Sequence, residues 1–171
     1  ENNATELVKG IQIKDMKVIS LINSTFQDKL NGALDASIRV SFIMAYDSGI
    51  EIIGCKFLNG RSNIAAIDLV GPSQKALLIG NLFENYTGNI QYDPTSSTVI
   101  NSNELTSINS TFRNCSGGFY INSGILNVTL LNSTFELIRE YGIIFQGTEF
   151  INITNSNFYS NSTNFTESAG I

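Results

Sequence analysis

A short motif that ends in phenylalanine recurs along the chain and constrains its fold more than any other feature. Asn-Ser-Thr-Phe occurs three times unchanged, at residues 23–26, 109–112 and 132–135, and three looser copies keep the final phenylalanine. The phenylalanines of the six copies are Phe26, Phe57, Phe83, Phe112, Phe135 and Phe158. Their spacing of 23 to 31 residues is typical of proteins that are built from stacked repeats.

Strand patterns accompany each of these phenylalanines. Apolar residues stand seven and five positions before it, with Ser107 as the polar exception, and such alternation predicts a β-strand. A second strand pattern follows each phenylalanine, for example at residues 65–67, 118–120 and 142–144. The residue three positions before it is always Asn or Gly. These two types tolerate the left-handed backbone of a sharp bend.

Units of this length, with short strands and no helical period, predict an all-β fold, a right-handed parallel β-helix of about six rungs. Rungs about 4.8 Å apart would place the six phenylalanines above one another as a core stack. A β-sandwich is the alternative, but it does not require phenylalanine at one fixed place. We interpret residues 1–171 as a single β-helix segment, with residues 41–49 and 93–103 as insertion loops. It would be part of a longer chain or a subunit that stacks end to end.

The two cysteines are predicted not to pair with each other. Cys55 belongs to the second repeat and Cys115 to the fourth, so two rungs, or about 9.6 Å of rise, separate them. Disulfides require Cα atoms within about 7 Å. The spacing also fits no metal-binding motif.

Ten N-x-Ser/Thr sequons predict covalent N-linked glycans and an extracellular or cell-surface location. Seven of them are the preferred candidates for glycosylation: Asn3, Asn85, Asn114, Asn127, Asn152, Asn161 and Asn164. Asn23, Asn109 and Asn132 occupy the predicted bend, where an inward ladder of stacked amides would leave them without sugar. The alternative is an unmodified solenoid rich in Asn and Thr.

The sequence contains few residues or motifs that are typical of an enzyme. The chain has no histidine and a net charge of −5 without a basic patch, which excludes histidine-based catalysis and argues against nucleic-acid binding. No apolar run is long enough for a membrane span. Asp47 with Asp68, or Asp28 with Glu51, could in principle serve glycoside hydrolysis, but no spacing singles them out. We therefore predict no catalytic, cofactor-binding or metal-binding residues, and no enzyme.

Short motifs link the repeats to a known family. Residues 32–34 (Gly-Ala-Leu) and 117–120 (Gly-Gly-Phe-Tyr) resemble a G-G-A-I motif, and residues 83–85 and 112–114 resemble F-x-x-N, one residue shorter. The chain thus resembles pectin-lyase-like parallel β-helix repeats, and among them most the repeats of polymorphic outer-membrane proteins. The resemblance implies surface display, adhesion and self-assembly, and it carries over no catalytic residue.

Two functions follow as hypotheses. The first is an extracellular structural or adhesive β-solenoid, a glycosylated surface protein or filament subunit. Its partners would be copies of itself, further repeats of the same chain, or surface glycans. The second is a β-helix that binds or cleaves polysaccharides, with a groove lined by Tyr46, Tyr92 and Tyr120, because aromatic rings stack on sugars.

Overall fold

The computed structural model describes eleven segments of the chain. They are residues 10–27, 40–46, 48–60, 64–70, 75–85, 104–115, 117–121, 127–139, 141–146, 150–159 and 165–168. These residues form eighteen β-strands, and every strand pair among them is parallel. A membrane-crossing helix is not found among the residues that the structure describes.

The strands follow one another in a repeating order of three. The first three repeats contain β1 (Ile11–Lys14), β2 (Val18–Ile22), β3 (Thr25–Gln27), β4 (Val40–Tyr46), β5 (Gly49–Ile53), β6 (Lys56–Leu58), β7 (Ile64–Val70), β8 (Lys75–Ile79) and β9 (Leu82–Glu84). The later repeats contain β10 (Glu104–Ile108), β11 (Thr111–Arg113), β12 (Gly117–Ile121), β13 (Asn127–Leu131), β14 (Thr134–Glu136), β15 (Tyr141–Gln146), β16 (Phe150–Thr154), β17 (Asn157–Tyr159) and β18 (Phe165–Ser168).

Equivalent strands of successive repeats form the sheets. Sheet 1 has the order β16-β13-β10-β8-β5-β2, and sheet 2 has the order β17-β14-β11-β9-β6-β3. The remaining strands form two three-stranded sheets, β1-β4-β7 and β12-β15-β18. The chain is therefore an all-β parallel β-helix, as predicted, and the antiparallel pairing of a β-sandwich is not what the described strands show. Its right-handed sense stays a prediction.

The core lies behind sheets 1 and 2. The inward positions of sheet 1 are those seven and five residues before each phenylalanine, and in the four central rungs they are buried. The six phenylalanines of sheet 2 form a continuous stack, with successive ring centroids 4.5 to 5.0 Å apart and ring planes within 9° of parallel. The structure thus places them as the repeat predicts.

Two left-handed bends connect the strands of a rung. At the first bend, between sheets 1 and 2, the Asn or Gly has φ between 50° and 62°, as in Asn23, Gly54 and Asn132. At the second bend, after sheet 2, Asn85 and Asn114 have φ of 57° and 51°. The bends continue the hydrogen-bond ladder between rungs, since the Asn23 amide donates to Ile53 O over 2.9 Å.

The inward amide ladder considered for Asn23, Asn109 and Asn132 is wrong, because all three side chains are exposed. A left-handed residue interrupts the alternation of a strand, so this residue and the one before it both face outward. The inward position comes one residue later. It is occupied by a column of small polar side chains and one thiol: Ser24, Cys55, Asn81, Ser110, Ser133 and Ser156.

The structure also tests the predictions for the two cysteines and for the insertion at residues 41–49. Cys55 and Cys115 are both buried and are not joined by a disulfide, and they occupy different corners of the rung, which confirms that they do not pair with each other. The predicted insertion at residues 41–49 is wrong for its larger part, because β4 runs from Val40 to Tyr46. Its β-branched and aromatic content lets this segment pair along its length with β7.

Candidate functional site

A shallow groove lies on the outer face of sheet 1 across its last three strands. Its volume is about 560 Å³. The groove is lined by Glu104, Asn127, Val128, Thr129, Phe150, Ile151 and Asn152. It thus combines one exposed aromatic ring with amide, hydroxyl and carboxylate groups.

Phe150 is the apolar element of the groove. Its side chain is 70 % exposed, whereas Ile151 and Ile153 of the same strand face the core. In the parallel register Phe150 is paired with Asn127, and Asn127 in turn with Glu104. Because paired residues of adjacent parallel strands point to the same side, these three side chains form one outward column. We call it the Phe150 column.

The polar side of the groove is a second outward column, two residues further along each strand. It contains Thr106, Thr129 and Asn152 in direct register. The hydroxyl of Thr154 donates to Asn152 Oδ1 over 2.8 Å, so this amide is oriented by its own strand. At the start of the Phe150 column the Lys75 ammonium contacts the Glu104 carboxylate at 2.6 Å.

The structure places seven of the ten sequons. Asn127 and Asn152 are exposed in the groove, Asn23, Asn109 and Asn132 are exposed at the first bend, and Asn85 and Asn114 lie at the second bend. Asn3, Asn161 and Asn164 lie outside the described residues. Glycosylation of the seven preferred sequons therefore stays a prediction.

The sequons at the second bend take part in an outward amide ladder. Asn85 Nδ2 donates to Asn59 Oδ1 over 3.4 Å, and Asn114 Nδ2 donates to Asn85 Oδ1 over 2.8 Å. Arg139 extends the ladder by donating to Asn114 Oδ1 over 3.4 Å. The side-chain amides of this bend thus connect three successive rungs on the outside of the coil.

A column of charges runs beside this amide ladder on sheet 2. The Arg113 guanidinium lies between two carboxylates, with Nε 3.1 Å from Glu136 and Nη1 3.4 Å from Glu84. The hydrogen bond and charge of Glu136, followed by those of Glu84, raise the pKa of Arg113 above its already high value. The column therefore links three neighbouring rungs on the outer face of sheet 2.

Other residues considered from the sequence are not brought together. Glu51 accepts a hydrogen bond from the Ser20 hydroxyl at 2.7 Å, and its suggested partner Asp28 lies outside the described residues, as do Asp47 and Tyr92. Tyr46 and Tyr120 belong to β4 and β12, which are in different three-stranded sheets. In the segments that the structure describes, no group of three or more His, Cys, Asp or Glu is arranged to hold a metal ion.

Two outward apolar features were missed at the sequence level. One is Phe150, and the other is a column four residues before each phenylalanine: Ile22, Ile53, Ile79, Ile108 and Leu131. Both occupy outward positions, and the apolar residue type alone would place them in the core. They lie one residue before the first inward position of sheet 1 and one residue after the second, so the alternation of the strand would have identified them.

Comparisons with known proteins return nothing for this chain: no family model, no curated protein and no solved structure matches it.

Proposed function

We propose that this chain is an extracellular structural or adhesive β-solenoid, a glycosylated surface protein or filament subunit. The observation that carries the proposal is the unbroken register of sheets 1 and 2 through six rungs, with the phenylalanine stack behind them. Solenoids of this kind form elongated bodies in which each repeat contacts only its neighbours. The resemblance to pectin-lyase-like and polymorphic outer-membrane protein repeats belongs to this proposal.

Stiffness along the axis is the property that suits a spacer. Six rungs span about 24 Å at the strand spacing of a sheet. Each step is held by backbone hydrogen bonds and ring stacking, and the outward ladders add contacts between the second and fifth rungs. Neither bending nor shear is possible without breaking several of these contacts at once. A rigid rod can therefore hold an adhesive surface away from a membrane or wall.

The terminal rungs support association through their ends. Their inward side chains, such as Leu21 in the first rung and Ile153 in the sixth, are only half-buried, whereas Ile52 and Leu130 in the rungs next to them are buried. Apolar surface of this kind is stabilised when another rung covers it. The covering rung would come from further repeats of the same chain or from a second copy.

Sedimentation velocity of the purified chain over a wide concentration range tests the filament form. We expect assemblies that grow with concentration and appear as rods by electron microscopy. Ile153→Asp places a charge in the end of the core and should abolish growth, whereas Asn152→Asp adds the same charge on the outer face and should not. A wild-type chain that stays monomeric at every concentration contradicts the filament form.

The second candidate function is binding of a polysaccharide in the groove. The exposed ring of Phe150 beside Asn127, Thr129 and Asn152 favours it, because aromatic faces and amide groups together recognise sugars. Glycan-array binding by the unglycosylated chain, compared with Phe150→Ala, tests this function. Incubation with acidic and neutral polysaccharides then separates binding from cleavage.

A further inference from the structure

We propose that an N-linked glycan on Asn127 folds back over the ring of Phe150 and covers the groove. This inference rests on the proposed extracellular function, which supplies the glycosylation machinery. It assigns the groove to a sugar that is covalently attached to the chain itself, rather than to a free polysaccharide.

The first argument is the exposure of Phe150. At 70 % it exceeds the exposure of Val18, which is 53 % exposed at the equivalent position of the first rung. Phe150 is also the larger side chain. Both residues lie on end strands of sheet 1, but the ring of Phe150 lines a groove that extends across β13 to Glu104 of β10. A single exposed apolar side chain needs no partner by itself. The polar groups that surround this ring in the groove are what suit a sugar, which presents both C–H and hydroxyl groups.

The second argument is the register. Phe150 pairs directly with Asn127 across β13 and β16, and adjacent strands are about 4.8 Å apart. Asn127 is exposed and is followed by Val128 and Thr129, which complete its sequon. A sugar bonded to Asn127 Nδ2 therefore begins beside the aromatic ring, and its first residue can place its C–H face on that ring.

The third argument is a contrast with the other sequons. At the second bend the Nδ2 atoms of Asn85 and Asn114 already donate hydrogen bonds in the amide ladder. The bend residues Asn109 and Asn132 have no large exposed aromatic residue at the same position of a neighbouring rung. Asn152 lies two residues after Phe150, about 7 Å along the same strand, and its Oδ1 already accepts a hydrogen bond from the Thr154 hydroxyl. The direct register pairing of a sequon with an exposed ring thus occurs at Asn127 within the described segments.

The polar rim of the groove completes the fit. Glu104 is paired with Asn127 on the adjacent strand β10, and Thr129 lies two residues further along β13. A carboxylate accepts hydrogen bonds from sugar hydroxyls, and a threonine hydroxyl both accepts and donates them. Attachment itself is an ordinary glycosyl transfer from a lipid-linked oligosaccharyl pyrophosphate. The C1–O bond to the pyrophosphate breaks, a C1–Nδ2 bond to Asn127 forms, the pyrophosphate keeps the bonding electron pair, and Nδ2 loses one proton.

The test uses the full chain secreted from a eukaryotic host. Glycopeptide mass spectrometry measures occupancy of Asn127, and hydroxyl-radical footprinting measures the accessibility of Phe150. We expect Asn127 to be occupied and labelling of Phe150 to rise severalfold in Asn127→Gln. Asn152→Gln, which removes the neighbouring sequon, is the matched control and should change labelling of Phe150 little. Labelling of Val18 should stay the same in both variants.

A second readout is thermal stability. Enzymatic removal of the glycans should lower the melting temperature of the wild type more than that of Phe150→Ala, because the variant has no ring for the sugar to cover. An unoccupied Asn127, or a Phe150 that is labelled equally with and without the glycan, overturns the inference. Phe150-dependent binding of free polysaccharide by the fully glycosylated chain also overturns it. Glycans at other sequons together with rod assembly would then leave the proposed function intact.

Discussion

The rings of Phe112 and Phe135 lie parallel, with 4.8 Å between their centroids and 2° between their planes. The two residues pair in register in sheet 2, and their separation matches the spacing of adjacent strands. The backbone ladder therefore sets the ring distance, which falls in the range of offset stacking. Each ring is buried between two others, so that removing one leaves a cavity that its neighbours cannot fill without leaving register.

Truncation of a central ring should be severe. Phe112→Ala is expected to lower the free energy of unfolding by about 3–5 kcal/mol, the usual cost of removing a buried phenylalanine. Urea unfolding followed by circular dichroism measures this loss. Phe150→Ala in unglycosylated protein is the control, since the exposed ring should contribute within about 0.5 kcal/mol. Similar losses in both variants would contradict the assignment of the core.

Neighbouring residues of β8 should differ sharply in their contribution. Leu78 is buried behind sheet 1, whereas Ile79 faces outward and is only half-buried. We expect Leu78→Ala to cost about 2–5 kcal/mol and Ile79→Ala clearly less, because it leaves no enclosed cavity. Thermal unfolding of the two variants side by side checks the register. A larger loss of stability for Ile79→Ala would show that the inward and outward faces of β8 are assigned the wrong way round.

Asn81 should be the most sensitive member of the inward polar column. Its Oδ1 accepts a hydrogen bond from the Cys55 amide at 2.9 Å, and its Nδ2 donates to Ile52 O at 2.8 Å. Asn81→Ala leaves two buried backbone groups unpaired, at about 1–3 kcal/mol each. Asn81→Ser, the residue type that Ser110 and Ser133 supply in later rungs, should restore part of the loss. Equal stability of the two variants in chemical unfolding would argue against these bonds.

Two glycines should respond very differently to alanine. A Cβ on Gly118 would collide with the Gly142 carbonyl oxygen and lie 2.9 Å from the ring of Phe135. A Cβ on Gly80 meets nothing within 4 Å, although its φ of +61° is left-handed. We expect Gly80→Ala to cost about 1–2 kcal/mol from the backbone alone. Gly118→Ala should lower the melting temperature considerably more, and the reverse order would contradict the packing of β12 on the stack.

Much of the architecture could be predicted because the repeat fixes it locally. A phenylalanine at the same place in each unit, such as Phe83 and Phe112, and alternating apolar residues before it are sufficient to predict strands, bends and an inward stack. The burial of Asn81 and the exposure of Asn109 were not predictable in the same way. Both are polar residues at the first bend of their own rungs. The left-handed backbone at this bend decides that the position of Asn81 faces the core and that the position of Asn109 faces outward.

The candidate site also combines features that the sequence predicts with features that only the folded structure shows. The sequence identifies Asn127 as a sequon, and it contains Phe150 as an apolar residue 23 positions later. The register of β13 and β16 makes them neighbours on the outer face. Both stand eight positions before the phenylalanine of their rung, so the repeat aligns them along the stack. The exposure of the ring and the groove around it follow only from the assembled sheet.

The sequence by itself thus determined the rung, because a β-strand, a bend and an inward ring depend on residues that are close along the chain. The tertiary structure decided what the rungs place side by side on their outside: the amide ladder from Asn59 to Asn114, the charges around Arg113, and Phe150 beside Asn127. Outward residues are not selected by burial. The neighbours of an outward side chain are therefore set by how successive rungs stack, which is a property of the assembled coil.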